Sequence, residues 1–164
     1  MEIKPYPGHC LAKEGHPQRL PATYHRTQGT EQMLAFLDVH HNVLNGMIRK
    51  RKTADDILLA FQNLRACYPK ERDIYLILDN LSTHKKDTVI EFANKNRIHL
   101  VFTPTYASWL NRIECHFTPL KKFTLSNSND PDHRTRRKRI YRYLYWRNRH
   151  QSNPKCPLNS FRRN

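Results

Sequence analysis

The sequence predicts an α/β fold in which helices flank a mixed sheet. Three patterns carry that expectation. Residues 31–39 and 43–49 are extended, largely apolar segments around the polar His40, His41 and Asn42, the pattern of a β-hairpin. Residues 73–78 and 98–102 are short apolar runs of strand length. The segment between them repeats apolar side chains at helical spacing, so these strands run parallel through a helical crossover.

Residues 1–29 are rich in proline and polar side chains and read as loop with short extended pieces, one of them at 23–26. The hairpin follows, then the basic run 49–52, which is either a solvated strand end or a phosphate contact. Thr53 opens a helix as its N-cap, with Asp56 where a capping box usually has Glu. Ile57, Leu58, Phe61 and Leu64 hold the helical spacing until Pro69 stops it. The run 73–78 is apolar on both alternating faces, which suits a strand covered by helices on both sides. A helix over 86–96 buries Val89, Ile90 and Ala93 before the strand at 98–102. Pro104 stiffens the next loop, and Ser108 is the expected N-cap of a helix starting near Trp109, with Trp109 in the core and Pro119 bending the second half. A polar linker at 126–131 leads to a last helix in which Ile140, Tyr143, Leu144 and Arg147 share one face while the other arginines point outward. This divides the chain into a core over 1–125 and a basic, aromatic C-terminal helix and tail over 126–164.

A chain of 164 residues is one domain by length, and 38% hydrophobic residues leave it a heavily polar surface. Its 29 Lys and Arg against 14 Asp and Glu give a net charge of +15, the footprint of a protein that meets a polyanion. Nucleic acid is the expected partner. No apolar run approaches membrane-spanning length, and the start carries no secretory segment, so a cytoplasmic protein is expected. Cys10, Cys67, Cys115 and Cys156 are scattered, without the pairing of a zinc ribbon or a disulfide framework. Four glycines and no glycine-rich loop before a helix argue against a nucleotide cofactor.

Two acids have the placement of a metal site. Asp79 closes the apolar run that ends at Leu78, and Glu114 lies in the helix expected after the strand at 98–102. A carboxylate at the end of a buried strand is held still where water reaches it, and hard carboxylate oxygens suit Mg²⁺ or Mn²⁺ in phosphoryl chemistry. Asn80 and Asn111 lie near these acids and could orient an oxygen or simply cap and turn. His116, with Cys115, reads as an ordinary helix position rather than a ligand.

Two blocks decide between a metal site and ordinary capping acids. Leu76 to Lys85 and Phe102 to Glu114, with Asp79, Asn80, Ser82, Thr83, His84, Thr105, Ser108, Trp109 and Asn111 among their residues, closely resemble the catalytic domain of DDE transposases of the IS630/Tc1-mariner superfamily. A looser likeness runs from about Pro5 to Trp146. The resemblance implies an RNase H-like fold and metal-dependent cleavage and strand transfer of DNA, with transposon ends and target as partners. It makes Asp79 and Glu114 the second and third acids of the catalytic triad, and a prokaryotic, DNA-associated protein is the implied setting.

In that family the first Asp ends the central strand, a few residues upstream of the part that Ile3 to Pro7 resembles. The expectation is therefore a sheet without its first strand and a chain inactive by itself. Asp38 is the tempting substitute, but it matches a later strand and reads as a strand-end residue; Glu2 matches no acid of the motif. The rival readings are a basic DNA-binding remnant without catalysis and an RNase H-like nuclease without strand transfer. His84 and Lys85 are placed to approach a phosphate. So are Arg136, Arg137, Arg139 and Arg142, each neutralised phosphate adding about 0.9 to the logarithmic salt slope. A homodimer is compatible with this reading.

Overall fold

The computed structural model describes residues 1–9, 11–17, 19, 28–151 and 155–161. The extended piece expected at 23–26, and Cys10, lie outside them. Strands β1 (Gln32–Asp38) and β2 (Val43–Arg49) form an antiparallel hairpin, followed by helix α1 (Ala54–Cys67). Strand β3 (Ile74–Leu78), helix α2 (Asp87–Lys95) and strand β4 (Ile98–Phe102) make a parallel crossover unit. Helices α3 (Glu114–Thr124) and α4 (His133–Gln151) close the fold.

The helix starts follow their sequence logic where a cap is present. Thr53 accepts from the Asp56 N–H at 3.2 Å, and the Asp56 carboxylate reaches back to the Thr53 N–H at 3.1 Å, a complete capping box. Arg49 adds an ion pair of 2.8 Å to the same carboxylate, which ties the end of β2 to the start of α1.

The hairpin is packed on both faces. Leu34, Phe36, Val43 and Met47 face Ile57, Ala60, Phe61 and Leu64 of α1, together with Leu158 and Phe161 from the C-terminal segment. Leu44 and Ile48 face Leu120 of α3 and Ile140 and Leu144 of α4. Gly46 sits where β2 crosses close to β1: a Cβ there would stand 2.3 Å from the Leu34 carbonyl oxygen.

The parallel pair differs from expectation. Tyr75, Ile77 and Val101 are exposed, so among the described residues helices cover only one face of β3 and β4. The reason is where α4 goes. It lies on the hairpin rather than across the crossover unit, with the Asn148 carboxamide bonded to both backbone groups of Leu44 and the Tyr141 hydroxyl to the Ile48 N–H.

Those bonds also fix which way β1 faces. Leu44 and Ile48 turn their backbone groups away from β1, so their register partners Leu37 and Met33 turn theirs away from β2. Glu31 continues that odd-numbered series and exchanges both backbone bonds with Met1. Met1 and Glu2 thus lie antiparallel against the outer edge of the β1 segment, at its start. Burial, with the Arg136 guanidinium second, lowers the pKa of the Met1 amine.

Along the rest of that edge runs a cavity of about 770 Å³. Every residue from Met33 to His41 lines it, and so does every residue from Asp73 to Asp79. Consecutive strand residues alternate faces, so a cavity that touches all of them is bordered by strand edges. Among the described residues β1 and β2 form one sheet, β3 and β4 another, and the two face each other across this gap.

At the far end of β1 the Asp38 carboxylate gathers three segments. It accepts from the His41 N–H at 2.9 Å and the Tyr68 hydroxyl at 3.0 Å, lies 3.0 Å from the His41 ring nitrogen, and is within 3.4 Å of the Cys156 thiol. Burial pushes the Asp38 pKa up, but these hydrogen bonds outweigh it and hold it below the ordinary carboxylate value. A depressed native pKa stabilises the fold fully above the ordinary carboxylate range, and that contribution is lost as pH falls through the native value. Asp38→Asn should therefore lower the urea midpoint at neutral pH and narrow the gap between the midpoints at neutral pH and at about pH 3.

Candidate metal centre

Asp79 follows β3 directly, and the strand end is pinned by the Thr103 N–H on the Leu78 carbonyl at 2.9 Å. The Asn80 carboxamide donates to the Thr103 carbonyl at 2.5 Å, so Asn80 ties the exits of β3 and β4 together. Asp79 itself is open to water, its side chain 64% exposed, and its Oδ1 lies 3.0 Å from Nδ1 of the largely buried His84. His84 stands on a short 3₁₀ turn, Ser82–Lys85, rather than on the helix expected there. The same ring nitrogen lies 3.3 Å from the Asp79 backbone carbonyl. Lys85 is exposed, and its ammonium lies 5.3 Å from the centre of the Phe102 ring.

Glu114 reaches the same place by a different route from the one expected. The segment from Ser108 forms only a 3₁₀ turn, Ser108–Leu110, and α3 begins at Glu114 itself. The Asn111 side-chain oxygen accepts from the Ile113 N–H at 3.3 Å, an Asx turn that interrupts the helix before it can start. Glu114 therefore occupies the first turn of α3, where its charge meets the positive end of the helix dipole. Trp109, expected in the core, is 74% exposed for the same reason: without a helix at 109 nothing turns the ring inward. Pro119 is carried inside α3, which continues through it to Thr124.

Asp79 and Glu114 line the same cavity, and both carboxylates are exposed. Two water-accessible, hard oxygen donors on rigid supports fit a divalent cation such as Mg²⁺ or Mn²⁺. Among the described residues no group of three potential ligands includes either of them. The one such group is Asp38, His41 and Cys156, with ligand atoms within 4.8 Å of one another. Asp38 lies at the opposite end of the cavity. It is bonded to Tyr68, which precedes β3, whereas Asp79 follows β3, and five strand residues span roughly 16 Å. His116 is also accounted for structurally. Burial, then Arg147 and Arg112, lower its pKa, and its Nδ1 lies 3.2 Å from the buried Arg147 guanidinium.

The basic helix is organised differently from its sequence pattern. Arg136 was expected to point outward and is 1% exposed. It pairs with the buried Asp130 at 2.8 Å, bonds the carbonyls of Glu2 and Lys4, and stacks 4.9 Å from the centre of the Tyr6 ring. Arg137 pairs with the buried Glu31, and Arg139 pairs with Asp130 at 2.7 Å; both stay partly exposed. Arg147 is buried against Asn42 in the hairpin turn. The stretch 126–131, expected as a solvated linker, holds the buried Ser128 and Asp130 because Asp130 neutralises two arginines. Of the four arginines expected to meet phosphates, Arg142 is the exposed one, with no acid paired to it among the described residues. The sequence reading missed Asp130 and Glu31 as the acids that absorb these charges. Asp130 lies just before the basic run and was within reach of a sequence reading, whereas nothing in the sequence pointed to Glu31.

The family model of the DDE superfamily endonucleases matches residues 1–135 of this sequence, and the chain belongs to that family. Its fold is similar to that of a chain of the simian T-cell lymphotropic virus intasome, determined by electron cryo-microscopy in complex with PP2A regulatory subunit B56 gamma. The TM-score is 0.52 at 14% identity, over 94% of this chain and 58% of that one. It is similar as well to the HTLV-2 integrase catalytic core domain, determined with magnesium in a trimeric form, with a TM-score of 0.52 at 16% identity over 82% of this chain and 94% of that one. These likenesses establish the fold as RNase H-like α/β. The chain spans 58% of the length of the intasome chain it matches. No curated protein matches the sequence. No helix among the described residues is long and apolar enough to cross a membrane.

Removing Arg136 leaves Asp130 buried with one partner fewer. Arg136→Ala should cost about 3–5 kcal/mol, read as a fall in the urea midpoint, while Arg142→Ala should leave the midpoint unchanged.

Proposed function

We propose that this chain supplies two of the three carboxylates of a transposase-type DNA cleavage and strand-transfer site, of the IS630/Tc1-mariner kind, and that the third comes from a strand laid in the gap between β1 and β3. The observation that carries the proposal is the free-edge geometry. Met1 and Glu2 already pair antiparallel with Glu31 and Thr30 on the outer edge of the β1 segment. In that register, residues placed before Met1 would run along β1 itself. Such a strand would be antiparallel to β1 and parallel to β3, because Asp38 at the end of β1 lies with the segment that enters β3. It would satisfy both unpaired edges, and its last residues would emerge at the Asp79 end of the gap.

Asp79 and Glu114 would hold the cation, and His84 would keep the Asp79 carboxylate turned toward it. A bound Mg²⁺ or Mn²⁺ supplies a polarised phosphoryl oxygen and an acidified water or hydroxyl. Two acids without a third leave the attacking and leaving oxygens unequally supported, so the chain alone is expected to be inactive. Arg142 and Lys85, both exposed, are suited to backbone phosphates. On this reading the partners are transposon ends and target DNA, a homodimer is the smallest assembly that joins two ends, and the protein works in the cytoplasm of a prokaryote. A non-catalytic DNA-binding remnant is the rival favoured by the two-acid site.

The test is supercoiled-plasmid nicking and strand transfer with Mg²⁺ or Mn²⁺. The 164-residue chain should be inactive. The chain lengthened at its N-terminus by an apolar strand of about seven residues ending in Asp should nick, and Asp79→Asn or Glu114→Gln should abolish that activity. His84→Ala should slow it about tenfold or more while His84→Gln retains part of it. Nicking without joining would select the nuclease reading, and no activity in the lengthened chain would select the remnant. Activity of the unextended chain that disappears in both Asp79→Ala and Asp38→Ala would overturn the proposal.

A further inference from the structure

Away from the carboxylates, α3 and α4 present a cluster of aromatic rings to solvent. Phe123 is 65% and Trp146 47% exposed. Phe123 stacks on Tyr143 with centroids 5.7 Å apart and planes 15° from parallel. Trp146 leans on Phe123 and Tyr143 at 6.5 and 6.3 Å, and His150 extends the row at 5.1 Å from Trp146. The rings, with Arg139 and Arg142, line a hollow of about 340 Å³. Exposed rings of this size are costly to leave in water, and the apolar clusters that hold the hairpin do not include Phe123 or Trp146.

We infer that this cluster is a stacking platform for unpaired bases of single-stranded DNA, an inference that rests on the DNA-processing function proposed above. Three features select that occupant. Flat ring faces accept the π-face of any base, and guanidinium groups at the rim match the phosphates between bases. Negative charge is sparse there: the sequence has no Asp or Glu from 115 to 129 and none after Asp132, and the buried Asp130 that pairs with Arg139 is shared with Arg136. A second copy of this chain would bring Arg142 and its basic neighbours against themselves, and Asp130, buried and already paired with Arg136 and Arg139, would not relieve the repulsion. An acidic peptide would satisfy the arginines and leave the rings uncovered. Duplex DNA offers phosphates but keeps its base faces stacked inside.

The experiment uses the full chain without metal, so it is independent of whether the carboxylates cleave. Binding of a labelled oligothymidylate and of a duplex of equal length is measured by anisotropy, with free thymidine monophosphate as a competitor. Trp146→Ala and Phe123→Ala should each weaken single-strand binding about 5- to 100-fold and leave duplex binding unchanged. Arg142→Ala should weaken both and lower the salt slope by about one. Trp146 emission, read in the Trp109→Phe protein, should be quenched by the oligonucleotide and far less by the mononucleotide. Quenching keeps the inference testable if an alanine variant does not fold. The inference is overturned if single-strand binding is unchanged in both ring variants, if single and double strands weaken alike, if no DNA is bound, or if Trp146→Ala converts a dimer to a monomer in sedimentation. Failure here with nicking intact in the lengthened chain would remove only the platform, and success here with no nicking would remove only the carboxylate chemistry.

Discussion

Backbone groups along a strand edge need partners, and in this protein that requirement organises everything near the site. β2 is served on both sides: β1 on one, and the Asn148 carboxamide and Tyr141 hydroxyl on the other. Because α4 provides those groups, β1 is left with its odd-numbered residues turned toward the gap. β3 is left with an edge facing the same gap, since its other edge is taken by β4. The cavity, the lodging of Met1 against Glu31, and the opening of Asp79 to water all follow from two strands that share one unfilled space.

The charge distribution obeys a similar rule. A net charge of +15 suggests a uniformly basic surface, yet several arginines are neutralised by the buried acids Glu31, Asp56 and Asp130. Asp130 and Glu31 neutralise three arginines of α4, and Asp56 takes Arg49. Two charges leave water together more cheaply than one alone, so burial selects pairs, and what remains outside is cationic and unbalanced. That is why α4 both anchors the N-terminal segment through Arg136 and presents Arg142 beside exposed rings. The same helix serves the core on one side and an anionic partner on the other.

Much of the fold was legible in advance. The hairpin, α1 with its capping box and the β3, α2 and β4 crossover rest on local patterns: alternation, helical spacing and a Thr with an Asp three residues on. The misreadings were partly non-local and partly local. Nothing local distinguishes an Arg that meets Asp130 from one that meets solvent. The start of α3 was misplaced because the Asn111 side chain competes for the Ile113 N–H, and Trp109 was assigned to the core on the strength of a helix that does not form there. Tyr75 and Ile77 were expected under a helix that went to the hairpin instead.

By itself the sequence determined element type and the family resemblance, and it singled out Asp79 and Glu114 as candidates, because these depend on neighbours within a few residues and on motif spacing. Tertiary structure alone decided which arginines are buried, that Asp38 belongs to a hydrogen-bonded cluster at the wrong end of the cavity to join Asp79, and that among the described residues the edge of β1 from Met33 to Asp38 borders a cavity. Those outcomes depend on contacts across 30 to more than 100 residues of chain, such as Asp38 with Tyr68, Arg136 with the Glu2 carbonyl and Arg147 with Asn42. Charge pairing and edge pairing are properties of packed surfaces, which come into being only when distant segments meet.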